Sequence, residues 1–267
     1  MPHVFTNGIR LAYERWGRGE RILLIMGSSA AGRAWTLHQT PALNEAGYQA
    51  VTFDNRGIPP SDVPPGKYSL ADMVADTRGL IEALNAAPCR IIGVSLGALI
   101  AQELALSDPG LVRCAVLMAT KSRSDPARLA HMTGHQALAD SGIKLPVKYE
   151  AAMSAFQMLS PATLNDPAAA GLWLETFEVA IRNRNIAQGQ AWADVYEDRR
   201  DALRKISAPC RVIGFSDDLV TPAHLGAEVA DAIPDCDFIE IGQCGHFGYL
   251  ERPDEVNSAI IEFLKKN

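Results

Sequence analysis

The chain lacks the features that mark secreted, membrane-spanning and nucleic-acid-binding proteins. No apolar stretch reaches the roughly 18 residues needed to span a bilayer, and the N-terminal segment Met1–Gly8 has neither the basic nor the apolar region of a secretory signal. The 25 Lys and Arg residues are outnumbered by 31 Asp and Glu residues, giving a net charge of −6 and no basic patch for phosphates. We therefore expect a cytoplasmic protein that binds neither nucleic acid nor membranes.

Cysteine and metal-binding patterns are also scarce. The five cysteines are an odd number without Cys-x-x-Cys spacing. Cys89, Cys114 and Cys210 lie in or beside apolar runs, which predicts reduced thiols in the core. His131 and His135 have helical spacing, but the residues between them include no acid, unlike a His-Glu-x-x-His zinc motif. The sequence thus predicts no metal site and no cofactor.

Short apolar runs alternate with amphipathic stretches along most of the chain. Because strands that are separated by helices pair in parallel, this alternation predicts an α/β fold with a mostly parallel central sheet and helices on both faces. The predicted strands are Gly8–Tyr13, Arg21–Ile25, Gln49–Phe53, Arg90–Val94, Cys114–Met118, Arg211–Phe215 and Asp237–Ile241. The predicted helices between them include Ala34–Ala46, Leu70–Leu84, Ala98–Ser107 and Ala223–Ile233.

The strongest functional signal is the pentad Gly93-Val94-Ser95-Leu96-Gly97, which lies between an apolar run and a helix-forming stretch. A serine between a strand and a helix must adopt a strained backbone conformation, and glycines on both sides avoid collisions there. This pattern predicts that the Ser95 hydroxyl is an exposed nucleophile and that the Leu96 N–H faces a developing oxyanion. A purely structural turn is the alternative.

A serine nucleophile needs a histidine base and an acid that orients the histidine. Of the six histidines, His246 lies on a glycine-rich loop after a predicted strand. Asp217 and Asp218 both follow the predicted strand Arg211–Phe215, and their positions alone do not separate them. The order serine, acid, histidine along the chain is that of one serine-hydrolase lineage.

These motifs resemble those of the alpha/beta-hydrolase superfamily, in its lipase- and esterase-like branch, over essentially the whole chain. The resemblance implies a catalytic triad of Ser95, Asp218 and His246. In the family, the spacing from the acid to a downstream proline, here Pro222, favours Asp218 and leaves Asp217 as the alternative acid.

The resemblance also implies an oxyanion hole. An apolar strand that ends at Met26-Gly27-Ser28 matches the family segment that supplies the second donor, so the backbone N–H of Ser28 would act with that of Leu96. Met26 stands where the family more often has a histidine, but a backbone donor does not depend on that side chain. The turn Asp54–Ser61 resembles a structural turn of the family, with Pro59 in place of a glycine.

Residues 121–205 depart from the alternation of strands and helices because they are predicted to be helical throughout. The segment resembles the family's inserted cap, so we predict a core of residues 1–120 and 206–267 with a helical cap that shapes the pocket and excludes water. The predicted cap helices are Ala127–Ala139, Val147–Leu159, Pro167–Asn183 and Ile186–Arg199. The candidate pocket residues are Met153, Phe156, Trp173 and Trp192.

Several arginines in this segment could bind an anionic part of a substrate, such as a phosphopantetheine or a carboxylate. A solvated charged face is the more ordinary explanation. The residues are Arg182, Arg184, Arg199, Arg200 and Arg204.

The resemblance implies hydrolysis of an ester or thioester of a small to medium apolar acyl substrate through an acyl-enzyme on Ser95. The substrate would be a small molecule, free or bound to a carrier or coenzyme A. The same triad serves C–C bond hydrolysis, acyl transfer, acetate elimination and cofactor-free perhydrolysis in the superfamily, and these stay open. A non-catalytic ligand receptor is a further alternative, which the intact triad disfavours. The oligomeric state is also left open.

Overall fold

The central sheet contains eight strands in the computed structural model, which describes residues 1–182 and 188–267. The spatial order of the strands is β1-β2-β4-β3-β5-β6-β7-β8. The pairs β1–β2 and β2–β4 are antiparallel, and all the remaining pairs are parallel. The predicted mostly parallel sheet is therefore confirmed. The strands are β1 (His3–Thr6), β2 (Ile9–Trp16), β3 (Glu20–Ile25), β4 (Tyr48–Phe53), β5 (Cys89–Val94), β6 (Val112–Met118), β7 (Cys210–Phe215) and β8 (Cys236–Ile241).

Helices cover both faces of this sheet. Outside the stretch between β6 and β7, the helices are α1 (Gln39–Glu45), α2 (Leu70–Ala83), α3 (Leu96–Ser107), α9 (Ala223–Ala232), α10 (Gly248–Glu251) and α11 (Pro253–Lys266), with the short 3₁₀ helices η1 (Gly32–Leu37) and η2 (Pro109–Leu111). Between β6 and β7 lie α4 (Pro126–Ser141), α5 (Val147–Met158), α6 (Pro161–Asn165), α7 (Pro167–Arg182), the 3₁₀ helix η3 (Gln188–Trp192) and α8 (Arg200–Leu203). No helix in the described parts of the chain is long and apolar enough to cross a bilayer.

The central strands are apolar on both faces because helices cover both faces. Every residue of β5 and of β7 is buried. Neighbouring residues on a strand point to opposite faces, so Ile91 packs into the layer that includes α2, α3 and α9, whereas Ile92 packs into the layer that includes α1 and α11. This double burial explains why the strands are continuous apolar runs in the sequence.

The structure differs from the predicted secondary structure at the following positions. The edge strand β1 was not predicted, because its four residues alternate between exposed and partly buried and give no apolar run. The predicted helix Ala34–Ala46 is divided into η1 and α1 at His38, whose φ is −141°. The predicted helix Ile186–Arg199 is wrong in its described part, where η3 is followed by residues without helical structure up to Arg199.

Tertiary contacts explain the last of these differences. The Asp194 carboxylate accepts a hydrogen bond from the backbone N–H of Val195 at 2.7 Å and also pairs with Lys121 and Arg128. These contacts hold the backbone out of a helix despite its helix-favouring residues. Within the described part of residues 121–205 no strand occurs, while the division of the chain into a core and a cap stays a prediction.

A buried ion pair anchors the turn Asp54–Ser61 to α2. The Arg56 guanidinium donates to both carboxylate oxygens of Asp76, at 2.5 and 2.6 Å, and the two side chains are only 9% and 3% exposed. The Asn7 amide donates a further bond to Asp76 at 2.9 Å. Because both charges are removed from water, each depends on its partner.

We expect Asp76→Ala to lower the free energy of unfolding by about 3–5 kcal/mol, because it leaves the Arg56 cation buried without a partner. The matched control is Glu255→Ala, which removes the exposed Arg252–Glu255 pair and should cost less than about 1 kcal/mol. Urea denaturation of the two variants measures the difference. Equal and small losses would show that Arg56 does not depend on Asp76.

Candidate active site

Ser95 lies on a strained turn between β5 and α3. Its φ of 54° and ψ of −118° are a conformation that residues other than glycine rarely adopt. A Cβ on Gly93 would lie 2.4 Å from the carbonyl oxygen of Gly97, and a Cβ on Gly97 would lie 2.0 Å from that of Ile25. Both glycines are therefore required, and the turn presents the partly exposed Ser95 side chain to a cleft.

His246 and Asp218 are brought together by the loops that follow β8 and β7. The His246 Nδ1 lies 2.8 Å from Asp218 Oδ2, and both side chains are buried. Asp218 also accepts from the backbone N–H groups of Val220 and Thr221 and from the Thr221 hydroxyl, each at 2.8 Å. The carboxylate is thus held in one orientation toward the imidazole.

Asp217, the alternative acid, is not part of this arrangement. It is only partly buried, its backbone N–H donates to the Cys244 carbonyl, and its side chain accepts from the neighbouring Ser216 hydroxyl. The geometry therefore assigns the contact with His246 to Asp218. Thr221, which sequence reasoning did not single out, is the polar side chain that joins the pair, since its hydroxyl also lies 3.3 Å from His246 Nδ1.

The loop that carries His246 is fixed from two sides. The Glu251 carboxylate accepts from the Gly245 N–H at 2.7 Å, and its other oxygen accepts from the backbone and hydroxyl of Ser160. The Phe247 N–H donates to the Met158 carbonyl at 2.9 Å. The histidine loop therefore packs directly against the ends of α5 and α6.

Ser95 and His246 line one cleft of about 540 Å³ together with Ser28 and Leu96, the two predicted oxyanion-hole residues. A Cβ on Gly27 would lie 3.3 Å from the Ser95 Cβ, so the end of β3 runs directly beside the nucleophile turn. Met26, in the position where the family more often has histidine, is buried, and its carbonyl accepts from the Asn55 amide at 3.0 Å. The Met26 side chain is thus a core residue.

Of the four candidate pocket residues only Met153 lines the cleft. Phe156 points to solvent and is 58% exposed. Trp173 stacks on Phe177 and packs against Phe247, and the Trp192 ring lies 4.2 Å from the Lys67 ammonium. These three aromatic side chains therefore do not form the wall of the cleft. The apolar residues that line the described wall instead include Met132, Leu138, Ile143, Leu145, Tyr149 and Met158.

A charged and polar cluster forms part of the same wall. Asp194 pairs with Lys121 at 2.8 Å and with Arg128 at 2.7 Å. The rings of His131 and His135 lie 4.4 Å apart, and Arg128 approaches His131 Nδ1 at 3.3 Å. In the sequence, only the four-residue spacing of the two histidines indicated that they lie on the same face of a helix.

Burial controls the titration of this cluster. It lowers the pKa of Lys121, against the opposing effect of Asp194. Burial would raise the pKa of Asp194, but Arg128 and Lys121 hold it below its usual range. Burial, then the nearby His135 and Arg128, lower the pKa of His131, so its imidazole is neutral at neutral pH.

Arg128 lines the cleft, but the candidate anion-binding arginines that the structure describes do not. They form ion pairs with nearby carboxylates, as expected for a charged face that is exposed to solvent. Arg199 is the exception, since it is largely buried against α3. The pairs are Arg182 with Glu178, Arg199 with Glu103, Arg200 with Asp198 and Arg204 with Asp201. Arg184 lies outside the described residues.

The cysteines and the metal-ligand candidates give no second reactive centre among the described residues. Cys244, two positions before His246, is fully buried, and burial raises the pKa of its thiol to about 12. It is therefore not a thiolate at neutral pH. No three His, Cys, Asp or Glu side chains in the described ranges group so that they could hold a metal ion.

Comparisons with known proteins identify the family of this chain. Residues 22–259 match the model of the "Alpha/beta hydrolase family". A Mycobacterium tuberculosis protein named "Putative non-heme bromoperoxidase BpoC" is 45% identical over 96% of this chain and 98% of its own length. Its crystal structure superposes with a TM-score of 0.90 at 43% identity, covering 96% of each chain.

A second solved structure, a hydrolase from Pseudomonas aeruginosa, is 27% identical with a TM-score of 0.85 and covers 98% of this chain and 97% of its own. The family model spans most of the chain, and the mycobacterial relative matches it nearly from end to end. The chain belongs to the alpha/beta hydrolase family.

Proposed function

We propose that the protein is a serine hydrolase that cleaves an ester or thioester of a small to medium apolar acyl group through an acyl-enzyme on Ser95. The observation that carries the proposal is the 2.8 Å contact between His246 Nδ1 and the buried Asp218 carboxylate, in the cleft that also contains Ser95. An acid that orients a histidine base next to a serine is the arrangement that activates a serine for attack on an acyl carbonyl.

In the first half of the reaction, Asp218 accepts the Nδ1–H of His246, which leaves Nε2 free to take the proton of the Ser95 hydroxyl. The serine oxygen attacks the carbonyl carbon, and the negative charge that develops on the carbonyl oxygen is stabilised by the backbone N–H groups of Ser28 and Leu96. The protonated His246 then donates its proton to the leaving alcohol or thiol.

In the second half, a water molecule gives a proton to His246 and attacks the acyl-enzyme. The tetrahedral intermediate collapses, the acid leaves, and the proton returns to Ser95. Asp218 stabilises the imidazolium in both halves. The apolar wall formed by side chains such as Met132, Met153 and Met158 supports an apolar acyl group, because methionine side chains adapt their shape to the group they enclose.

Ser95→Ala should lower kcat for nitrophenyl acetate by on the order of 10⁶-fold, since no nucleophile remains to form the acyl-enzyme. Intact mass after exposure to a fluorophosphonate should show one adduct on the wild-type protein and none on the variant. Turnover that survives the substitution would exclude Ser95 as the nucleophile.

Asp218→Asn should reduce kcat by on the order of 10⁴-fold, because an amide favours the wrong tautomer of the histidine. The matched control is Asp217→Asn, the same exchange one residue earlier on a side chain that does not contact His246, which should leave kcat close to that of the wild type. Steady-state kinetics of both variants test the assignment. A larger loss in Asp217→Asn would transfer the acid role to Asp217.

A second candidate reaction is perhydrolysis, which the name of the mycobacterial bromoperoxidase relative favours. Hydrogen peroxide would replace water and attack the acyl-enzyme, releasing a peracid and restoring the Ser95 hydroxyl. The peracid would then oxidise bromide to hypobromous acid and itself be reduced to the carboxylic acid. No cofactor is needed, because hydrogen peroxide is the oxidant.

We expect the carboxylic acid to be the main product even with peroxide present, because water is the more abundant acceptor in an open cleft. Nitrophenyl acetate turnover and bromide-dependent halogenation of an indicator dye would be measured together, with Ser95→Ala as the control. Halogenation that matches the rate of ester cleavage and is lost in the control would establish perhydrolysis as the main reaction.

A further inference from the structure

The side chain of Gln190 in η3 lies under the cleft wall and contacts the segment that carries the Ser28 donor. Its amide is almost completely buried, at 3% exposure, and lines the cleft. The Oε1 atom accepts from the Ser29 N–H at 2.7 Å and lies 3.4 Å from the Ser28 hydroxyl, which donates to it. One side-chain oxygen thus holds two successive residues at the end of β3.

We propose that Gln190 is a positioning residue of the oxyanion hole, so that the helical segment between β6 and β7 completes the catalytic site of the core. The inference rests on the proposed function, in which the Ser28 N–H receives the developing negative charge. Gln190 does not touch the reacting atoms in this scheme. It acts by holding Ser28 through two contacts, one with the Ser28 hydroxyl and one with the peptide that follows Ser28, while the donor N–H lies in the peptide that precedes Ser28.

Backbone strain is the reason that this segment needs an anchor. Ser29 has a φ of 61°, in the left-handed region that is strained for residues other than glycine. Such a conformation persists only where surrounding contacts hold it. The hydrogen bond from the Ser29 N–H to Gln190 is such a contact, and it fixes the plane of the peptide that follows Ser28.

Gln190 is itself held by the core. Its Nε2 donates to the Arg56 carbonyl at 2.7 Å, and Arg56 is fixed by the buried pair with Asp76. The preceding residue, Gly189, accepts from the Tyr68 N–H at 3.0 Å, and a Cβ at this glycine would lie 2.6 Å from the Gly66 carbonyl oxygen. The amide cannot rotate without breaking a hydrogen bond at each end, so its orientation is determined.

The test uses the complete protein with Gln190→Met, which preserves the side-chain volume, cannot donate a hydrogen bond and accepts one only weakly. The matched control is Gln136→Met, since Gln136 also donates to η3, at the Ala191 carbonyl, but neither lines the cleft nor contacts the end of β3. Kinetics with nitrophenyl acetate and nitrophenyl hexanoate would be combined with the affinity for phenylboronic acid, whose serine adduct places an oxygen in the oxyanion hole.

We expect Gln190→Met to lower kcat at least tenfold for both esters with KM unchanged, a smaller effect than the roughly 10²–10³-fold loss from removing a donor outright. The affinity for phenylboronic acid should fall by a similar factor, and Gln136→Met should match the wild type in every measurement. If Gln190→Met does not fold, Gln190→Leu carries the same measurements.

A loss confined to KM, or one that differs between the two esters, would overturn the inference in favour of a substrate contact. An unchanged kcat and boronate affinity would overturn it outright. Either result would leave the proposed function intact as long as wild-type turnover depends on Ser95. A wild-type protein that neither cleaves the esters nor binds the boronate would remove the proposed function and this inference together.

Discussion

Close contact between backbones is the constraint on which the rest of the site depends. The turn at Ser95 packs against itself and against the end of β3 at distances that leave no room for a Cβ on Gly93 or Gly97. Because backbone meets backbone, the nucleophile, the Leu96 N–H and the segment around Ser28 have nearly fixed relative positions. The strain at Ser95 is sustained by the fully buried strand β5 and by α3 on either side of it.

The remaining groups reach this point because parallel strands end at one edge of the sheet. Ser95 follows β5, Asp218 follows β7 and His246 follows β8, so loops that are distant in sequence meet in space. Hydrogen bonds then set the finer geometry. Asp218 is oriented by Val220 and Thr221, and the histidine loop is held by Glu251. The sheet thus positions the loops, and hydrogen bonds fix the orientation of the groups that the loops carry.

Local patterns in the sequence predicted every strand except the edge strand β1, and also the residues of the turn, because each is encoded by a few neighbouring residues. The choice of Asp218 over Asp217 needed the spacing of a known family, since both follow the same strand. The cleft wall was not predictable in this way. Phe156 and Trp173 are large and apolar, but which way they point depends on how the helices pack.

The same limit applies to the polar contacts across the cleft. Gln190 lies more than a hundred residues from the serines that it contacts, and Asp194 pairs with Lys121 from a distant part of the chain. No motif connects such positions, and the segment around Asp194 has a composition that favours a helix. Only the folded chain shows that side-chain hydrogen bonds and ion pairs override that preference there.

The Asp194 carboxylate, shared between Lys121 and Arg128, has a consequence for how substrates enter and leave. Lys121 lies in the loop that follows β6, whereas Arg128 belongs to α4, so the carboxylate of Asp194 connects this loop to α4. Lifting α4 away would separate buried charges and expose them one at a time, which is energetically expensive. We therefore expect α4 to stay in place while substrates and products pass through the existing opening of the cleft. Rotation of the flexible apolar side chains that line the cleft would make room for them.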